Sequence, residues 1–483
     1  MAVAVASRAS DDLTAAERLD ALFDRGTTQF IRTDVVSRRL GPRAVPGDGV
    51  LAATGTVDGR PVAAYSQDGT VFGGSLGRAH ADTVLRVLDV AERARIPVVA
   101  FVESAGARLQ EGLDALDGYA RIFAAQVRLS GVIPQISVVC GAAAGGGAYG
   151  PALSDFVVLT PRASMFLTGP GVVREVLGEV LTASELGGPA VHAANGVAHL
   201  LSETELDAIT TTRTLLEVLA DVDAVPRHPR PVEAPPGGPV DAYVPADPRK
   251  GYDVRHVAAG LVDGGRLLEI SPGWAPNVTC SFGRIEGRAV GIVANQPSCK
   301  AGVLDADASQ KAARFVRTCD VFRVPLVVLV DTPGFMPGSE QEGGAVIRHG
   351  AKLVHAFADA TVPRVTVVLR KAFGGALIAM NSRGLGADAV FAWPNAELGV
   401  MGPAQAVGIT HRRDIEAAAD PVARRSELAG AYAADHLTAE RAAQDGHVDA
   451  VIAPSDTRAR VAAVLALAGT TVPLSRPARN FPQ

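Results

Sequence analysis

The strongest constraint on the fold is an internal repeat whose period is nearly half the length of the chain. Each copy contains an apolar run, a helical stretch, a second apolar run, a glycine-rich turn and a Gly-Pro pair. Three pairs of landmarks define the match: Pro97 with Pro325, Gly146 with Gly375, and Pro170 with Pro403. The offset between partners stays nearly constant from the first pair to the last. Solenoid repeats have periods of roughly 20–50 residues, so this much longer period predicts a duplicated domain.

The pattern of apolar residues predicts an α/β fold in each copy. Continuous Val/Leu runs alternate with helical stretches, and strands that are apolar on both faces are typical of parallel sheets covered by helices. Two short strands around 48–57 and 61–67 open the first copy, with a turn at Asp58-Gly59. Their counterpart is 283–293, because its turn at Glu286-Gly287 follows Asp58-Gly59 by the same offset that separates Pro97 from Pro325.

A proline-rich segment separates the two copies. Residues 225–248 carry too many prolines for a helix or a sheet ladder, and we expect a semi-rigid connector there. The sequence therefore predicts an N-terminal domain over 1–235, ending in this connector, and a C-terminal domain over 249–483. Residues 411–445 are polar and rich in Ala, Arg, Glu and Asp, which predicts a solvated or oligomer-facing helical hairpin.

Charge and cysteine content exclude several functional classes. The net charge of −5 gives no electrostatic support for a nucleic-acid partner. The four cysteines, at positions 140, 280, 299 and 319, form no CxxC pair and no metal-ligand spacing. This favours reduced thiols in a cytoplasmic protein without a bound metal. No segment has the pattern of a signal peptide or the roughly 18 apolar residues of a membrane span, so no membrane partner is predicted.

Two glycine-rich turns are the candidates for chemistry: residues 141–150, and Lys371 to Leu377 in the second copy. Each follows a buried strand and opens a helix, where free N–H groups hold negative oxygens. A dinucleotide site would need GxGxxG spacing and a P-loop would need Gly-Lys-Ser/Thr, and neither pattern is present. Tight packing and an oxyanion hole for a developing enolate remain open. The repetition of the turn at matched positions favours the oxyanion hole.

The sequence offers no obvious side-chain base or nucleophile. It contains no GxSxG elbow, no HExxH motif and no pair of acids in matched loops. Ser104 lies in ESAGARLQEG, which is not a nucleophile elbow, and the histidines are scattered. Chemistry in which a bound cofactor supplies the base would fit this composition.

Long ordered motifs then point to a family. They are Ser104–Gly112, Pro134–Ser137, Ala144–Gly146, Pro151–Asp155, Thr168–Pro170, Asn295–Pro297, Ala312–Arg317, Asp331–Gly338, Arg348–Lys352 and Ala392–Pro394. With these motifs the chain resembles the carboxyltransferase (beta) subunits of biotin-dependent acyl-CoA carboxylases, in the acetyl-CoA and propionyl-CoA group. The resemblance covers roughly residues 15–480.

This resemblance implies two tandem crotonase-like domains, each a ββα spiral, in an assembly of six chains. The N-terminal domain would bind acyl-CoA and the C-terminal domain would bind carboxybiotin, with the site formed between unlike domains of two chains. The biotin would be carried by a partner, the biotin carboxylase and biotin carboxyl carrier (alpha) subunit. The product would be malonyl-CoA or methylmalonyl-CoA, and no metal is implied.

The resemblance also assigns site residues. The N–H groups of Gly145 and Gly146 would hold the thioester enolate oxygen, and those of Gly375 and Ala376 the biotin ureido oxygen. Biotin N1′ would take the acyl α-proton and the enolate would attack CO2, so no side-chain base is needed. The residues expected to bind cofactor or substrate are Ser104, Gly106, Ala107, Arg108, Phe373, Gly374 and Ile378.

The chain departs from the family pattern at a few positions. Ala105, Leu377 and Pro403 replace residues that are common in the family. Ile378 is apolar where propionyl-type members commonly have an acid, which favours acetyl or relaxed acyl specificity. Two alternatives stay open: a hydratase or decarboxylase that works without biotin, and a non-catalytic or altered-substrate subunit of a carboxylase complex.

Overall fold

The computed structural model describes residues 12–220 and 232–468. These residues form two compact units, one in each described range, and each unit has its own sheet and its own apolar core. The predicted limits of the two domains, 1–235 and 249–483, stay a prediction.

The predicted connector is described only in part, because residues 225–231 lie outside the described residues. From residue 232 to residue 248 the backbone is irregular apart from one 3-10 turn at Val240–Tyr243. This agrees with the proline content of the segment, since proline donates no backbone hydrogen bond.

The first unit alternates strands and helices. Its strands are β1 Gln29–Ile31, β2 Val50–Val57, β3 Arg60–Gln67, β4 Val98–Ser104, β5 Gln135–Ala144, β6 Phe156–Leu159, β7 Ser164–Phe166 and β8 Leu200–Leu201. Its helices are α1 Ala15–Leu22, α2 Arg78–Ala94, α3 Leu113–Leu129, α4 Gly146–Ala152, α5 Pro170–Leu177, α6 Ala183–Gly187, α7 Pro189–Asn195 and α8 Glu205–Ala220.

The second unit repeats this alternation. Its strands are β9 Leu268–Glu269, β10 Val278–Ile285, β11 Arg288–Asn295, β12 Leu326–Thr332, β13 Arg364–Phe373, β14 Ala389–Ala392, β15 Glu397–Gly399 and β16 Ala450–Val451. Its helices are α9 Val254–Leu261, α10 Ala306–Val321, α11 Ser339–Gly343, α12 Val346–Asp359, α13 Gly374–Ala379, α14 Pro403–Thr410, α15 Arg412–Ala417, α16 Pro421–His436, α17 Ala439–Gln444 and α18 Thr457–Ala468. The predicted helical insertion corresponds to α15, α16 and α17.

The two sheets have the same topology. The first runs β1-β2-β3-β4-β5-β6-β8 with β7 on β5, and the second runs β9-β10-β11-β12-β13-β14-β16 with β15 on β13. In both, an antiparallel hairpin leads into parallel strands. Buried residues of α2, such as Val84, Val87 and Ala91, join the first core. The predicted α/β class and the predicted hairpins are confirmed.

Both sheets carry an irregularity at the same place. The register of β4 on β5 shifts between Val102 and Ser104, and that of β12 on β13 shifts between Val330 and Thr332. A β-bulge bends a strand and redirects the residues that follow, and bulges are common beside active sites. In both sheets the extra residues lie on the partner strand, between Val139 and Ala143 of β5 and between Val368 and Ala372 of β13. The repeated irregularity therefore lies just before each glycine-rich turn.

Candidate active site

In each unit, two neighbouring parallel strands end beside the start of a short helix. The loop 104–108 follows β4, and the turn 145–147 leads from β5 into α4. We call this loop and turn the first cradle. The loop 332–336 after β12 and the turn 374–376, which follows β13 directly and opens α13, form the second cradle. Ligands of parallel α/β sheets commonly bind at this carboxyl edge.

The two turns share a backbone conformation that only glycine adopts readily. Gly145 has φ 55° and Gly374 has φ 61°, and both values fall in the left-handed region. The conformation turns the chain from the strand into the helix. The N–H groups that follow belong to the first turn of a helix, where they have no intrahelical acceptor.

One of the predicted donors is already engaged. The Gly145 N–H donates to the carbonyl oxygen of Phe166 over 3.0 Å, next to the pairing of Ala144 with Phe166. The prediction that Gly145 offers a free donor is therefore wrong for this structure. The two predicted donor pairs are also not equivalent in the repeat, because Gly375 and Ala376 correspond to Gly146 and the residue after it, and not to Gly145.

The loop supplies a donor that the turn lacks. Leu76 donates its N–H to the Gly106 carbonyl and accepts from the Arg108 N–H, each over 2.9 Å. Ala107, between them, donates its N–H to no acceptor in the described part of the chain. Ala107 was predicted as a binding residue, and within the described residues its backbone N–H is free to donate to a ligand.

The second cradle repeats this arrangement. The Leu304 N–H donates to the Gly334 carbonyl over 3.1 Å, and the Met336 N–H donates to the Leu304 carbonyl over 2.7 Å. Phe335 lies between these bonds, and its N–H finds no acceptor among residues 12–220 and 232–468. Each cradle therefore pairs one loop N–H, from Ala107 or Phe335, with the start of a helix.

Loop and turn of the first cradle are in close contact. A Cβ atom at Gly106 would lie 3.1 Å from the Ala144 carbonyl oxygen, and one at Gly147 would lie 3.3 Å from the Ser104 Cβ. Gly106 also has φ 98°, a value that strains other residues. Glycine at these positions lets the loop approach the end of β5 and the start of α4 closely.

Ser104 and Arg108 support the loop from inside the protein. The Ser104 side chain is buried, and its Oγ accepts the Gly106 N–H over 3.2 Å. The Arg108 guanidinium is fully buried, with Nη1 donating to Asp48 Oδ1 over 2.6 Å and to Glu111 Oε1 over 2.9 Å. Neither side chain is exposed to a ligand. The prediction that they bind cofactor is therefore wrong as far as their side chains are concerned.

The residues predicted for the second turn differ in accessibility. Phe373 is buried and precedes α13, so its ring is not available to a ligand, and its predicted binding role stays a prediction for its backbone. Gly374 is partly exposed and Gly375 is exposed, whereas Ala376 is buried. The Ile378 side chain is 53 % exposed, so its predicted role in acyl selection stays a prediction that the structure permits.

Two residues that differ from the family pattern, Ala105 and Pro403, fit the local backbone without distortion. Ala105 lies exposed on the loop of the first cradle. Pro403 is the first residue of α14, after the cap Gly402. Proline fits this position because the N–H there has no intrahelical acceptor.

Sequence reasoning missed two aromatic residues of the cradles. The Phe335 ring lies against Gly375, where a Cβ atom would be 3.6 Å from two ring atoms. The Tyr119 ring lies against Gly146, where a Cβ atom would be 2.7 Å from Cδ2. Phe335 was detectable, because it occupies the position of Ala107 in the second copy of the loop. Tyr119 lies on a helix, and no motif connects it to the turn.

The buried thiols and the most buried histidine are poorly suited to acid–base or nucleophilic work. Burial raises the pKa of Cys280 to about 12 and raises the pKa of Cys140 as well. Burial lowers the pKa of His80 to about 3.

Within residues 12–220 and 232–468 no group of three His, Cys, Asp or Glu residues could hold a metal ion. No helix in the same residues is long and apolar enough to cross a membrane.

Two backbone cradles on duplicated α/β units are the arrangement expected of enzymes that stabilise oxyanions. The chain belongs to the carboxyl transferase domain family, whose model matches residues 6–482. The predicted resemblance and the predicted enzyme class, acyl-CoA carboxyl transfer, are therefore confirmed.

Known relatives match nearly the whole chain. The methylmalonyl-CoA carboxyltransferase 12S subunit of Propionibacterium freudenreichii subsp. shermanii is 46% identical over 97% of this chain and 91% of its own length. The biotin-dependent acetyl-/propionyl-coenzyme A carboxylase beta5 subunit of Mycobacterium tuberculosis is 45% identical over 95% of this chain and 87% of its own length.

A solved structure shares the fold. It is a crystal structure of the transcarboxylase 12S hexamer with methylmalonyl-coenzyme A and methylmalonic acid bound, and it matches with a TM-score of 0.91. The identity is 45%, over 97% of this chain and 91% of that one. The prediction of tandem crotonase-like domains is confirmed.

Proposed function

We propose that this chain is the carboxyltransferase subunit of an acyl-CoA carboxylase that acts on a short acyl-CoA, acetyl-CoA or propionyl-CoA. The product would be malonyl-CoA or methylmalonyl-CoA. The observation that carries the proposal is the repeated pairing of a loop N–H with a helix start, at Ala107 and Gly146 and again at Phe335 and Gly375. Joining two partners requires two polarised carbonyl groups, one in each cradle.

The first cradle is suited to a thioester. The N–H groups of Ala107 and Gly146 would donate to the thioester oxygen, and this stabilises the negative charge that develops when the α-proton leaves. Removing one such donor from an oxyanion hole costs a factor of roughly 100–1,000 in kcat. Neither donor is a side chain, so the protonation state of the cradle does not change with pH.

The second cradle fits the ureido group of biotin, which the family uses. Gly375 is exposed and carries no side chain, and the Phe335 N–H is unpaired among the described residues. These two N–H groups suit a neutral carbonyl oxygen, and no charged side chain is needed. Carboxybiotin, when bound there, would supply the carboxyl group, and the biotin nitrogen freed by its release would supply the base. Phe335 and Gly375 would orient the ring and draw electron density towards its oxygen.

The partners follow from the same proposal. The chain would act with a separate biotin carboxylase and biotin carboxyl carrier subunit, in the cytoplasm and without a metal of its own. Like the hexameric transcarboxylase 12S core, it would assemble as six chains. The acyl-CoA cradle would belong to the domain of residues 1–235 and the biotin cradle to that of residues 249–483.

The test is carboxyl transfer in reverse. We would incubate the purified chain with malonyl-CoA or methylmalonyl-CoA, with and without free biotin, and follow release of the decarboxylated acyl-CoA. We expect release that depends on biotin, and the faster substrate identifies the acyl class. Release that is equally fast without biotin would indicate a biotin-independent decarboxylase. No release from an intact oligomer that still binds CoA would indicate a non-catalytic or altered-substrate subunit.

A further inference from the structure

We propose that Tyr119 is a positioning residue that sets the separation of the two N–H donors in the first cradle. The inference deepens the proposed function and rests on it, because it concerns how the thioester oxygen is held. Tyr119 lies on α3, which belongs to neither the loop nor the turn. Its side chain nevertheless contacts both of them, the turn through the ring and the loop through the hydroxyl.

The ring of Tyr119 lies directly against Gly146. A Cβ atom at Gly146 would be 2.7, 2.8 and 2.9 Å from three atoms of the ring. Real Cβ atoms do not approach other atoms so closely, so the contact exists only because residue 146 is glycine. Tyr119 is 7 % exposed and therefore has little room to move. The ring thus defines where the first N–H of α4 lies.

The hydroxyl of Tyr119 connects the same side chain to the loop. Its oxygen is 3.2 Å from Ser104 Oγ, which in turn accepts the Gly106 N–H over 3.2 Å. Gly106 immediately precedes Ala107, the loop donor. A chain of two hydrogen bonds and one ring contact therefore joins the Ala107 side of the cradle to the Gly146 side.

In the second cradle an aromatic ring also packs against the turn, but the large and the small residue have exchanged places between loop and helix. The helix segment Tyr119-Ala-Arg-Ile corresponds to Gly350-Ala-Lys-Leu, so glycine replaces Tyr119. In the loop the exchange is reversed, because Phe335 replaces Ala107. The Phe335 ring lies 3.1 Å from a Cβ position at Gly350 and 3.6 Å from one at Gly375. An aromatic ring lies against the second glycine of both turns, although different elements provide it.

Tyr119 acts by packing and hydrogen bonding, and not as a base. Burial raises the pKa of its hydroxyl above the usual value of about 10, so the group stays neutral at physiological pH. The hydrogen bond to Ser104 is therefore between two neutral hydroxyls. Tyr119→Phe removes only this bond, whereas Ser104→Ala also removes the acceptor of the Gly106 N–H. Both variants leave the ring on Gly146 in place, so Tyr119→Phe is the cleaner test and Ser104→Ala interrupts the same connection at its next link.

The experiment compares these two variants and their double variant with the full-length wild-type chain. Thr332→Val is the matched control, because Thr332 Oγ1 accepts the Gly334 N–H over 3.2 Å in the second cradle. We would measure kcat and KM for biotin-dependent decarboxylation of malonyl-CoA or methylmalonyl-CoA. We would also record the infrared carbonyl band of propionyl-CoA or acetyl-CoA, labelled with 13C at the thioester carbon, bound to each protein.

We expect Tyr119→Phe and Ser104→Ala to lower kcat by roughly 10- to 100-fold, somewhat less than complete loss of an oxyanion donor. KM should change by less than about twofold, because the contacts to the rest of the CoA do not change. The bound carbonyl band should shift less from its position in water than it does in the wild-type chain. The double variant should be no worse than the single variants, since both break one chain of contacts. Thr332→Val should retain the full carbonyl shift.

Full kcat in both single variants would overturn the inference, and so would a loss of kcat with an unchanged carbonyl band. A parallel fall in melting temperature and CoA binding, with kcat intact in the folded fraction, would show a purely structural role and would also overturn it. A wild-type chain without biotin-dependent turnover would contradict the proposed function instead. The carbonyl band would still report on Tyr119 in that case, so the two failures are distinguishable.

Discussion

Under the proposed function, backbone N–H groups are the functional groups of both cradles, so glycine residues there are expected to have the largest effect. Gly145 and Gly374 turn the backbone with positive φ, at 55° and 61°. Gly146 needs no unusual φ, and its requirement comes from the ring of Tyr119 instead. Neighbouring glycines of one turn are therefore needed for different physical reasons, backbone conformation in one case and space in the other.

Gly146→Ala should damage the first cradle. The added methyl group would lie 2.7 Å from the Tyr119 ring, which is buried and cannot retreat. Overpacking of this kind typically costs about 1–3 kcal/mol, and here it would also displace the start of α4. We expect a lower free energy of unfolding by that amount, measured by denaturant titration, and a loss of biotin-dependent decarboxylation larger than the loss of folded protein.

Gly430→Ala is the control for that variant. Gly430 lies within α16, and a Cβ atom there would meet no atom within 4 Å. Since alanine is favoured over glycine inside helices by about 1 kcal/mol, stability should be unchanged or higher and activity should be normal. If Gly146→Ala and Gly430→Ala had the same free energy of unfolding and the same activity, the close contact between Gly146 and Tyr119 would not contribute to either.

At the scale of elements, a repeated aspartate fixes the hairpin that opens each sheet. In the first unit Asp24 accepts the N–H groups of Asp58 and Gly59 over 3.1 and 2.9 Å, and Arg213 of α8 donates to it over 3.0 Å. In the second unit Asp263 accepts from the corresponding turn, at Glu286 and Gly287, and from Arg458 of α18. One carboxylate thus ties a hairpin turn to a helix that lies far away in sequence.

Asp24→Asn should weaken this connection in a pH-dependent way. Partial burial raises the pKa of Asp24, but the hydrogen bonds from Gly59 and Arg213 outweigh it and lower the pKa to about 2, from the usual 3.8. A depressed pKa contributes stability above the unfolded value that is lost as pH falls through the folded value. Because the pair is partly exposed, we expect a loss of roughly 0.5–1 kcal/mol at pH 7. The difference between variant and wild type should shrink from about pH 4 to pH 2.

The measurement is the free energy of unfolding by urea across that pH range, with Asp20→Asn as a nearby exposed comparison. Asp20 accepts one hydrogen bond, from Thr28 over 3.1 Å, so its replacement should have a smaller effect. A difference between Asp24→Asn and wild type that is constant from pH 7 to pH 2 would contradict the assignment of this stability to the ionised carboxylate.

Elements of this kind could be predicted from the sequence where a short-range pattern encodes them. The hairpin turns at Asp58-Gly59 and Glu286-Gly287, the apolar strands and the glycine turns all follow local rules, and the structure contains them. The prediction that Gly145 offers a free donor was wrong because its acceptor, Phe166, belongs to a strand that pairs with β5 only in the folded chain. The prediction that the Arg108 side chain binds a ligand was wrong because the motif gives no sign of the buried ion pair that Arg108 forms with Asp48.

For the whole molecule, the proposed function assigns one chemical task to each copy of the duplicated domain. Each unit carries one cradle, and the repeated fold makes their frameworks equivalent: a bulged strand end, a loop N–H and a helix start. The differences lie in the side chains around the donors, such as Ala107 against Phe335. Duplication followed by local change would let one framework hold a thioester in one copy and a ureido group in the other.

This division predicts which amides each ligand protects from hydrogen exchange. An N–H that donates to a bound oxygen exchanges more slowly, because it must first be released. Acyl-CoA should therefore slow exchange in peptides that contain Ala107 and Gly146, and free biotin in peptides that contain Phe335 and Gly375. Mass spectrometry of the full-length chain with each ligand alone measures this directly. Protection of the second cradle by acyl-CoA, with none in the first, would reverse the assignment of the domains. Protection in neither cradle, in a chain with biotin-dependent activity, would show that other donors hold the two oxygens.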